Sequence, residues 1–143
     1  MEPSTEVREA YIQLMEAFSG GDAATWTACF SQQPGTLLLG NGGDEDFFAG
    51  PSAIGEMAQT MLPVLQRGGL TFYPGEPQAF REGGVGWVLD RRLTIRTTRG
   101  QAQELRATVI FRQEDGQWKV VLYTHAIGVP DEQVEVFRDL VWE

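Results

Sequence analysis

The fold is decided by residues 85–127, which read VGWVLDRRLTIRTTRGQAQELRATVIFRQEDGQWKVVLYTHAI. The turn signals Arg99-Gly100 and Glu114-Asp115-Gly116 divide this stretch into three segments rich in β-branched and aromatic residues. Runs of this composition, bounded by glycine and aspartate, are typical of strands joined by short turns. The stretch therefore predicts three long antiparallel strands over residues 85–98, 104–112 and 118–127.

The residues before this stretch follow helical patterns broken by short strand patterns. A set of apolar residues near the N-terminus recurs at three- and four-residue steps, which predicts an amphipathic helix over residues 5–19. Asp22 and Pro51 are typical first residues of two further helices. The remaining predicted elements are short strands at 36–39 and 47–50, an edge or bulged strand within the proline-containing segment 70–80, and a short C-terminal helix over 134–141.

The order of these elements defines the expected architecture. Three helices followed by a long antiparallel meander are typical of an α+β fold in which helices cover one face of a bent sheet. No linker or internal repeat divides the 143 residues, so a single domain spanning residues 1–143 is expected. The other face of the sheet is partly apolar as well, and a twofold homodimer is the commonest way to cover such a face.

The charge of the chain argues against one class of partner. Twenty acidic and eleven basic residues give a formal net charge of -9, which repels a phosphate backbone, so nucleic acid is not an expected partner. Apolar runs such as residues 120–123 are much shorter than the ~20 residues that span a bilayer, so no membrane span is expected. The acidic N-terminus has no basic and apolar leader pattern, which favours the cytoplasm.

Several short motifs, taken in order, resemble the nuclear transport factor 2-like superfamily and, within it, the SnoaL-like domains. The resemblance extends over nearly the whole chain. The motifs are Gly21-Asp22 between the first two helices, Phe48-Ala49-Gly50-Pro51-Ser52-Ala53-Ile54 at the start of the third, Gly86-Trp87-Val88-Leu89-Asp90 on a strand, and Gly116-Gln117-Trp118-Lys119-Val120-Val121 through Val129-Pro130 near the end.

The resemblance implies a cone, in which a curved antiparallel sheet holds N-terminal helices on its concave face and opens to a small-molecule pocket. Members of the superfamily include isomerases, cyclases, dehydratases, binding modules and association domains. Ketosteroid isomerase-like members use a tyrosine on the first helix as an oxyanion donor and an aspartate on the first strand as a base. Leu14 and Leu39 occupy these positions here, so the chain departs from the isomerase pattern. Tyr11, one turn before Leu14, is the alternative donor.

A polar group is expected on the two central strands, because residues at alternate positions of a strand share a face. If the hairpin at Arg99-Gly100 has a three-residue loop, Arg92 lies opposite Thr108. Asp90 and Arg106 then lie beside that pair. Asp90 becomes a candidate base or ligand anchor, and Arg92 or Arg106 a candidate clamp for an anion. The alternative is a structural ion pair between aspartate and arginine on an exposed face.

The last predicted strand carries the single histidine, His125, on the same face as Tyr123. Because an imidazole titrates near neutral pH without help, His125 is a candidate general base. The alternative is a hydrogen-bonded structural or interface residue. Tyr11 and Tyr123 are candidate ligand contacts, and so are Trp26 and Trp87, which fit a role in the core equally well.

No metal or cofactor is expected from the sequence. The chain has no spacing of histidine, cysteine and carboxylate residues that matches a metal site, and no glycine-rich phosphate motif opens a helix. Cys29 falls at an apolar helical position and is expected to be a buried core residue rather than a nucleophile. The acidic turn at residues 44–46 lacks the ligand spacing of a calcium loop and is expected to be a solvated rim.

These features lead to two functional hypotheses. In the first, the chain binds a small, largely apolar organic molecule in the cone, and any chemistry is cofactor-free proton transfer of the isomerase, cyclase or dehydratase type. In the second, it is a non-catalytic dimerisation or association module whose cavity is a by-product of the fold. An open pocket favours the first hypothesis, and a cone filled by Trp87, Met57 and Met61 favours the second.

Overall fold

The computed structural model describes residues 1–141 as one large curved, unclosed sheet with helices packed on one face, which confirms the predicted α+β architecture. The helices are α1 (Thr5–Gly20), α2 (Ala23–Ala28), α3 (Pro51–Arg67) and α4 (Glu135–Val141), with short 3-10 turns at Gly43–Asp46 and Asp131–Gln133. The strands are β1 (Glu2–Pro3), β2 (Leu37–Leu39), β3 (Phe47–Ala49), β4 (Thr71–Tyr73), β5 (Gln78–Glu82), β6 (Val85–Arg96), β7 (Ala102–Glu114) and β8 (Gln117–Ala126).

The sheet is mixed rather than wholly antiparallel. Its strands follow the order β1-β5-β6-β7-β8-β2-β3, and β4 pairs with the C-terminal half of β6. The pairing of β2 with β8 is parallel, whereas the other pairs are antiparallel. Because β2 and β8 are distant in sequence and no hairpin turn connects them, the residue pattern does not determine their relative direction.

The proline-containing segment 70–80 forms two strands instead of one. Pro74 and Pro77 lie in the loop between β4 and β5, because proline has no N–H to donate to a strand ladder. Both short strands pair with β6, and β5 also pairs with the two-residue strand β1, which the sequence did not predict.

The helices begin and end where the local chemistry favours it. The Ser4 Oγ accepts a hydrogen bond from the Val7 N–H (3.2 Å) at the start of α1, and Gly21 ends that helix in the left-handed conformation with φ 66°. Asp22 then caps α2 by accepting from the Ala24 and Thr25 N–H groups, at 3.0 and 3.2 Å. These two caps set the sharp turn between α1 and α2.

The core lies between the helices and the inner face of the sheet, which we define as the face that the helices cover. α1 buries the predicted stripe of Val7, Tyr11, Leu14, Met15 and Phe18 against this face. The strands contribute alternate residues, as the two-residue period of a strand requires. The buried strand residues include Val88, Leu93, Leu105, Ala107, Val109, Phe111, Val120 and Tyr123.

A β-bulge in β6 interrupts the alternation of its side chains after Asp90. Leu89 pairs with Thr108 and Asp90 with Ala107, and pairing resumes with Leu93 opposite Leu105. Two residues of β6 therefore stand against one residue of β7, which is the defining feature of a bulge. Asp90 faces the core by simple alternation with the buried Val88, and the bulge makes Leu93 the next buried position, which leaves Arg91 and Arg92 exposed.

The predicted pairing of Arg92 with Thr108 is wrong. The turn between β6 and β7 gives a different register from the predicted one, and the bulge then adds one residue on the β6 side. Thr108 and Arg106 alternate with the buried Ala107 and are exposed on the outer face, the face away from the helices. Asp90 is fully buried and on the opposite face, so the four residues do not form one polar group.

The outer face carries a row of apolar side chains that crosses five strands in register. Phe80 pairs with Trp87, Trp87 with Ile110, Ile110 with Leu122, and Leu122 with Leu37. We call these five residues the apolar belt. Each is partly exposed, and the Phe80 and Trp87 rings stack with centroids 6.3 Å apart.

The last elements stand apart from the core. After β8 the chain makes the 3-10 turn and then α4, which begins at Glu135 and confirms a C-terminal helix close to the predicted start. α4 packs mainly on the turn that precedes it. Of the helices within residues 1–141, none combines the length and the apolar character needed to cross a membrane.

Candidate functional site at the end of the cone

A pocket of about 360 Å³ opens between the helices and the inner face of the sheet. Its walls are mainly apolar, and its polar groups gather on the side formed by the end of β8 and the turn after β2. The apolar lining residues are Phe18, Leu38, Phe48, Met57, Met61, Leu65, Leu70, Phe72, Ile95 and Leu105, and the polar ones are Asn41, Glu45, Asp46, Tyr123 and His125.

Tyr123 and His125 are two residues apart on β8, so both side chains point to the inner face. The Tyr123 hydroxyl lies 2.8 Å from the His125 Nδ1, within hydrogen-bond distance. The Tyr123 ring is fully buried, and burial raises the pKa of its hydroxyl, with the charge of Asp90 adding to the shift. The phenol is therefore neutral at physiological pH and keeps a proton to donate.

His125 is also held in its neutral form. Burial lowers the pKa of its imidazole, and the nearby Asp46 carboxylate opposes that shift only in part. If Tyr123 donates to Nδ1, the proton of the imidazole is on Nε2, and if Nδ1 donates to Tyr123, Nε2 is free to accept. In the first arrangement the Nε2–H can donate a proton at the pocket surface, and in the second Nε2 can accept one.

Gly40 leaves the space beside the imidazole open. A Cβ at this position would stand 3.5 Å from the His125 Nε2, 3.5 Å from the Asp46 Oδ2 and 3.2 Å from the Asp46 Cβ. Glycine therefore lets the turn after β2 approach His125 closely without filling the gap between the imidazole and the carboxylate. Asp46 itself is fixed by accepting a hydrogen bond from the Gly42 N–H.

Asp90 lies deeper and does not line this pocket. Its carboxylate accepts hydrogen bonds from the Tyr11 hydroxyl at 2.8 Å and from the N–H groups of Gly75 and Arg92 at 3.0 and 3.1 Å. Tyr11 is fully buried, and burial together with the charge of Asp90 raises its pKa. These hydrogen bonds join α1, β6 and the loop between β4 and β5 through one carboxylate. We call Asp90 and its three hydrogen bonds the structural clamp.

The other predicted site residues lie outside the pocket. Trp26 is buried behind Phe18, with ring centroids 4.7 Å apart, and its Nε1 has no hydrogen-bond partner among the described residues. Trp87 belongs to the apolar belt on the outer face, so it does not fill the cone. Arg92, Arg106 and Thr108 are exposed, and only Tyr123 and His125 among the predicted residues line the pocket.

Sequence reasoning missed two features of this site. The sequence predicts a solvated acidic rim at residues 44–46, whereas this segment folds back as a 3-10 turn and brings Asp46 beside His125. Met57 and Met61, which fill the cone in the hypothesis of an association module, instead line an open pocket. Within residues 1–141 no group of three or more histidine, cysteine or carboxylate side chains is placed to hold a metal ion.

The sequence and the structure together define the class of protein. Residues 7–130 match the family model of the SnoaL-like domain, and the chain belongs to this family. The sequence has no significant match among curated proteins.

Solved structures of the nuclear transport factor 2-like group share the fold. An NTF2-like protein of unknown function from Pseudomonas putida KT2440 superposes with a TM-score of 0.77 at 19% identity, covering 92% of this chain and 93% of that chain. A proposed dehydratase of the NTF2-like family from Streptomyces avermitilis has a TM-score of 0.76 at 14% identity, with coverages of 87% and 95%. A proposed calcium/calmodulin-dependent protein kinase II association domain from Xanthomonas campestris has a TM-score of 0.70 at 12% identity, with coverages of 90% and 95%.

Proposed function

We propose that the chain binds a small, largely apolar organic molecule in the pocket and transfers a proton to or from it at His125, without a cofactor. The observation that supports the proposal is the neutral Tyr123–His125 pair on the polar side of a mainly apolar pocket. An apolar cavity with a few convergent polar groups is the usual form of a small-molecule site. The dehydratase description of the Streptomyces avermitilis protein is consistent with such chemistry.

The chemistry follows from the two groups and their surroundings. A general base works best when its pKa is near the operating pH, and a neutral imidazole is ready to accept a proton. A proton taken from a carbon or hydroxyl of the ligand moves to the His125 Nε2, and the bound molecule carries the negative charge that remains. In this tautomer the Nδ1–H donates to the Tyr123 hydroxyl oxygen, which orients the ring, and the Asp46 carboxylate stabilises the imidazolium once it forms.

The lining also selects the charge of the ligand. Among the residues that line the pocket, Glu45 and Asp46 carry negative charge and His125 is titratable. The lining includes neither lysine nor arginine. A carboxylate or phosphate ester would meet negative charge without a counterion, which disfavours binding. We therefore expect neutral molecules such as ketones, enols or phenols, or apolar amines, rather than acids.

A thermal-shift screen with the purified protein tests this proposal. The probes are small hydrophobic ketones, phenols, amines and carboxylic acids, applied to the wild type and to His125→Gln and Tyr123→Phe. Tyr73→Phe is the matched control, because Tyr73 is half exposed on β4 and does not line the pocket. We expect neutral or cationic probes to stabilise the wild type and the control, and to bind about tenfold more weakly to both pocket variants, the loss of one buried hydrogen bond.

Gly40→Ala provides a steric version of the same test. The added methyl group would occupy the space beside the His125 Nε2, while the φ of Gly40 is outside the left-handed region that glycine alone favours. We expect this variant to fold and to lose ligand capture. A probe that stabilises the wild type, His125→Gln and Gly40→Ala equally would place the binding site elsewhere and reject the proposal.

We also propose that two copies associate through their outer faces. The apolar belt is in register across five strands and is only partly buried in one chain, and contiguous exposed apolar surface marks interaction sites. Sedimentation at micromolar concentration should give the mass of two chains, twice 15.9 kDa. A mass near one chain would contradict this proposal.

The belt is also the observation that favours the alternative function. A non-catalytic association module would use the outer face and leave the pocket empty, and the fold of the proposed kinase association domain from Xanthomonas campestris is similar. The two functions differ in the screen described above. Dimers that capture no probe of any class would favour the association module.

A further inference from the structure

Three exposed arginines, Arg91, Arg92 and Arg106, lie beside one another where the bulge of β6 meets β7. The bulge in β6 places Arg91 and Arg92 against the single residue Arg106 of β7, because pairing stops at Asp90–Ala107 and resumes at Leu93–Leu105. All three side chains are exposed, and within residues 1–141 none of them forms an ion pair. Like charges on adjacent residues repel each other, so the cluster is suited to an acidic partner. We call these three residues the arginine cluster.

The C-terminal segment has the opposite charge and an exposed apolar face. Val136, Phe137 and Leu140 share one side of α4 and are 64%, 49% and 77% exposed, although they are large apolar side chains. The turn and helix carry the exposed acidic residues Asp131, Glu132, Glu135 and Asp139. An amphipathic helix with its apolar side in water requires a partner surface to be stable.

The path of the chain brings this segment to the outer face. Gly128, two residues after the end of β8, lies against Arg106, since a Cβ there would be 2.8 Å from the Arg106 Nε. The chain therefore leaves the sheet beside the arginine cluster. The pocket rim offers no comparable surface, because Glu45 and Asp46 would repel the acidic residues of α4.

We propose that α4 of one copy docks on the arginine cluster and the neighbouring apolar belt of a second copy, and that the exchange is reciprocal. Its acidic residues face the arginines of the second copy, and Val136, Phe137 and Leu140 pack on the belt. This contact also removes a difficulty of the proposed homodimer, since two outer faces would otherwise bring two arginine clusters together. The proposal rests on that homodimer and is independent of the ligand pocket.

A charge-exchange experiment tests the contact. One variant reverses the helix charge with Glu132→Arg and Glu135→Arg, and the other reverses the sheet charge with Arg91→Glu and Arg106→Glu. In a reciprocal dimer each variant alone places like charges at both contacts, whereas a mixture restores opposite charges at both. Sedimentation should show about tenfold or greater weakening of dimerisation for each variant, and recovery of dimers in the mixture.

The controls change the same net charge elsewhere on the surface. Glu9→Arg with Glu16→Arg matches the first variant, and Arg8→Glu with Arg67→Glu matches the second, because all four residues are exposed on α1 or α3. Loss of α4 helicity alone would weaken the first variant without recovery in the mixture, so recovery identifies the contact.

Several outcomes would overturn the proposal. Dimers that fail to recover in the mixture of the two variants, and recover only in a single chain that carries all four substitutions, would show that α4 docks on the sheet of its own chain. Both variants dimerising like the wild type would leave the homodimer intact and reject the role of α4. A monomeric wild type would reject the homodimer as well. A monomer that inorganic phosphate stabilises, but not in the Arg91→Glu and Arg106→Glu variant, would make the arginine cluster an anion site.

Discussion

The interior of the cone contains two tyrosine pairs that differ in what surrounds them. Tyr11 donates to Asp90, whose carboxylate also accepts from two backbone N–H groups. Tyr123 is hydrogen-bonded to His125, and both residues line an open pocket. The first pair is sealed among three elements of the fold, whereas the second has one ring nitrogen left toward the cavity.

We expect the Tyr11–Asp90 pair to contribute mainly to folding stability and the Tyr123–His125 pair to be the one that can act on a ligand. Asp90 is fully buried and accepts three hydrogen bonds from the protein, so removing it leaves the Tyr11 hydroxyl and two backbone N–H groups without an acceptor. A neutral imidazole beside a cavity contributes less to stability and keeps a position for substrate. Asp90 and His125 are both candidate catalytic residues from the sequence, and their different surroundings are the reason that the proposed function uses His125.

The largest effect is expected for Asp90→Asn. The substitution keeps the volume but replaces an acceptor with an amide that directs its own N–H groups at donors. We expect a loss of about 3 kcal/mol in the free energy of unfolding, from weakened hydrogen bonds to a charged group and unpaired donors. Urea denaturation measures it, with the exposed Asp44→Asn as a control near zero. A loss below about 1 kcal/mol would mean that Asp90 is not a clamp.

The sequence predicted most of the fold and little of this distinction. Apolar periodicity and turn residues were enough to locate the helices and the long strands, because these patterns depend on neighbouring residues. Alternation puts Asp90 on the same face as Val88, but the break in that alternation at Arg91 and Arg92 depends on a bulge, which requires the pairing of β6 with β7 to be known. The proximity of Asp46 to His125 depends on a non-local parallel strand pair, and no local pattern contains that information.

A smaller effect is expected for Tyr11→Phe. The ring remains to fill the core, and Asp90 keeps the two backbone donors from Gly75 and Arg92. The lost hydrogen bond to a charged acceptor predicts destabilisation of about 1 to 2 kcal/mol, and Tyr73→Phe on the exposed edge should change stability much less. If Tyr11→Phe and Tyr73→Phe are equally stable, the Tyr11 hydroxyl does not contribute to the hydrogen bonds that hold Asp90.

Tyr123→Phe is expected to cost less than Tyr11→Phe. Its partner, His125, borders the pocket, so water in the pocket can replace part of the lost hydrogen bond. We expect a change of about 1 kcal/mol or less in the free energy of unfolding, together with the about tenfold weaker probe binding described above. A loss larger than that of Tyr11→Phe would reverse the comparison and make the second pair the structural one.

The smallest effect is a pH dependence that arises from His125. Burial lowers the pKa of the folded imidazole below its ordinary value of 6.5, so the unfolded chain binds a proton before the folded chain does as the pH falls. The contribution of His125 to stability is therefore complete above pH 6.5 and is lost as the pH falls through the lowered folded value. Urea denaturation between about pH 7.5 and 5 should show a steeper loss for the wild type than for His125→Gln, which has no titrating group at this position. Carboxylates such as Glu114, whose pKa is lowered by hydrogen bonds from Ser31 and Arg112, titrate in both proteins and cancel in the difference.

If instead the wild type gains stability relative to His125→Gln as the pH falls, the imidazole is protonated in the folded state, and the Asp46 carboxylate outweighs burial. His125 would then be a cation at the pocket wall and unable to accept a proton from a ligand.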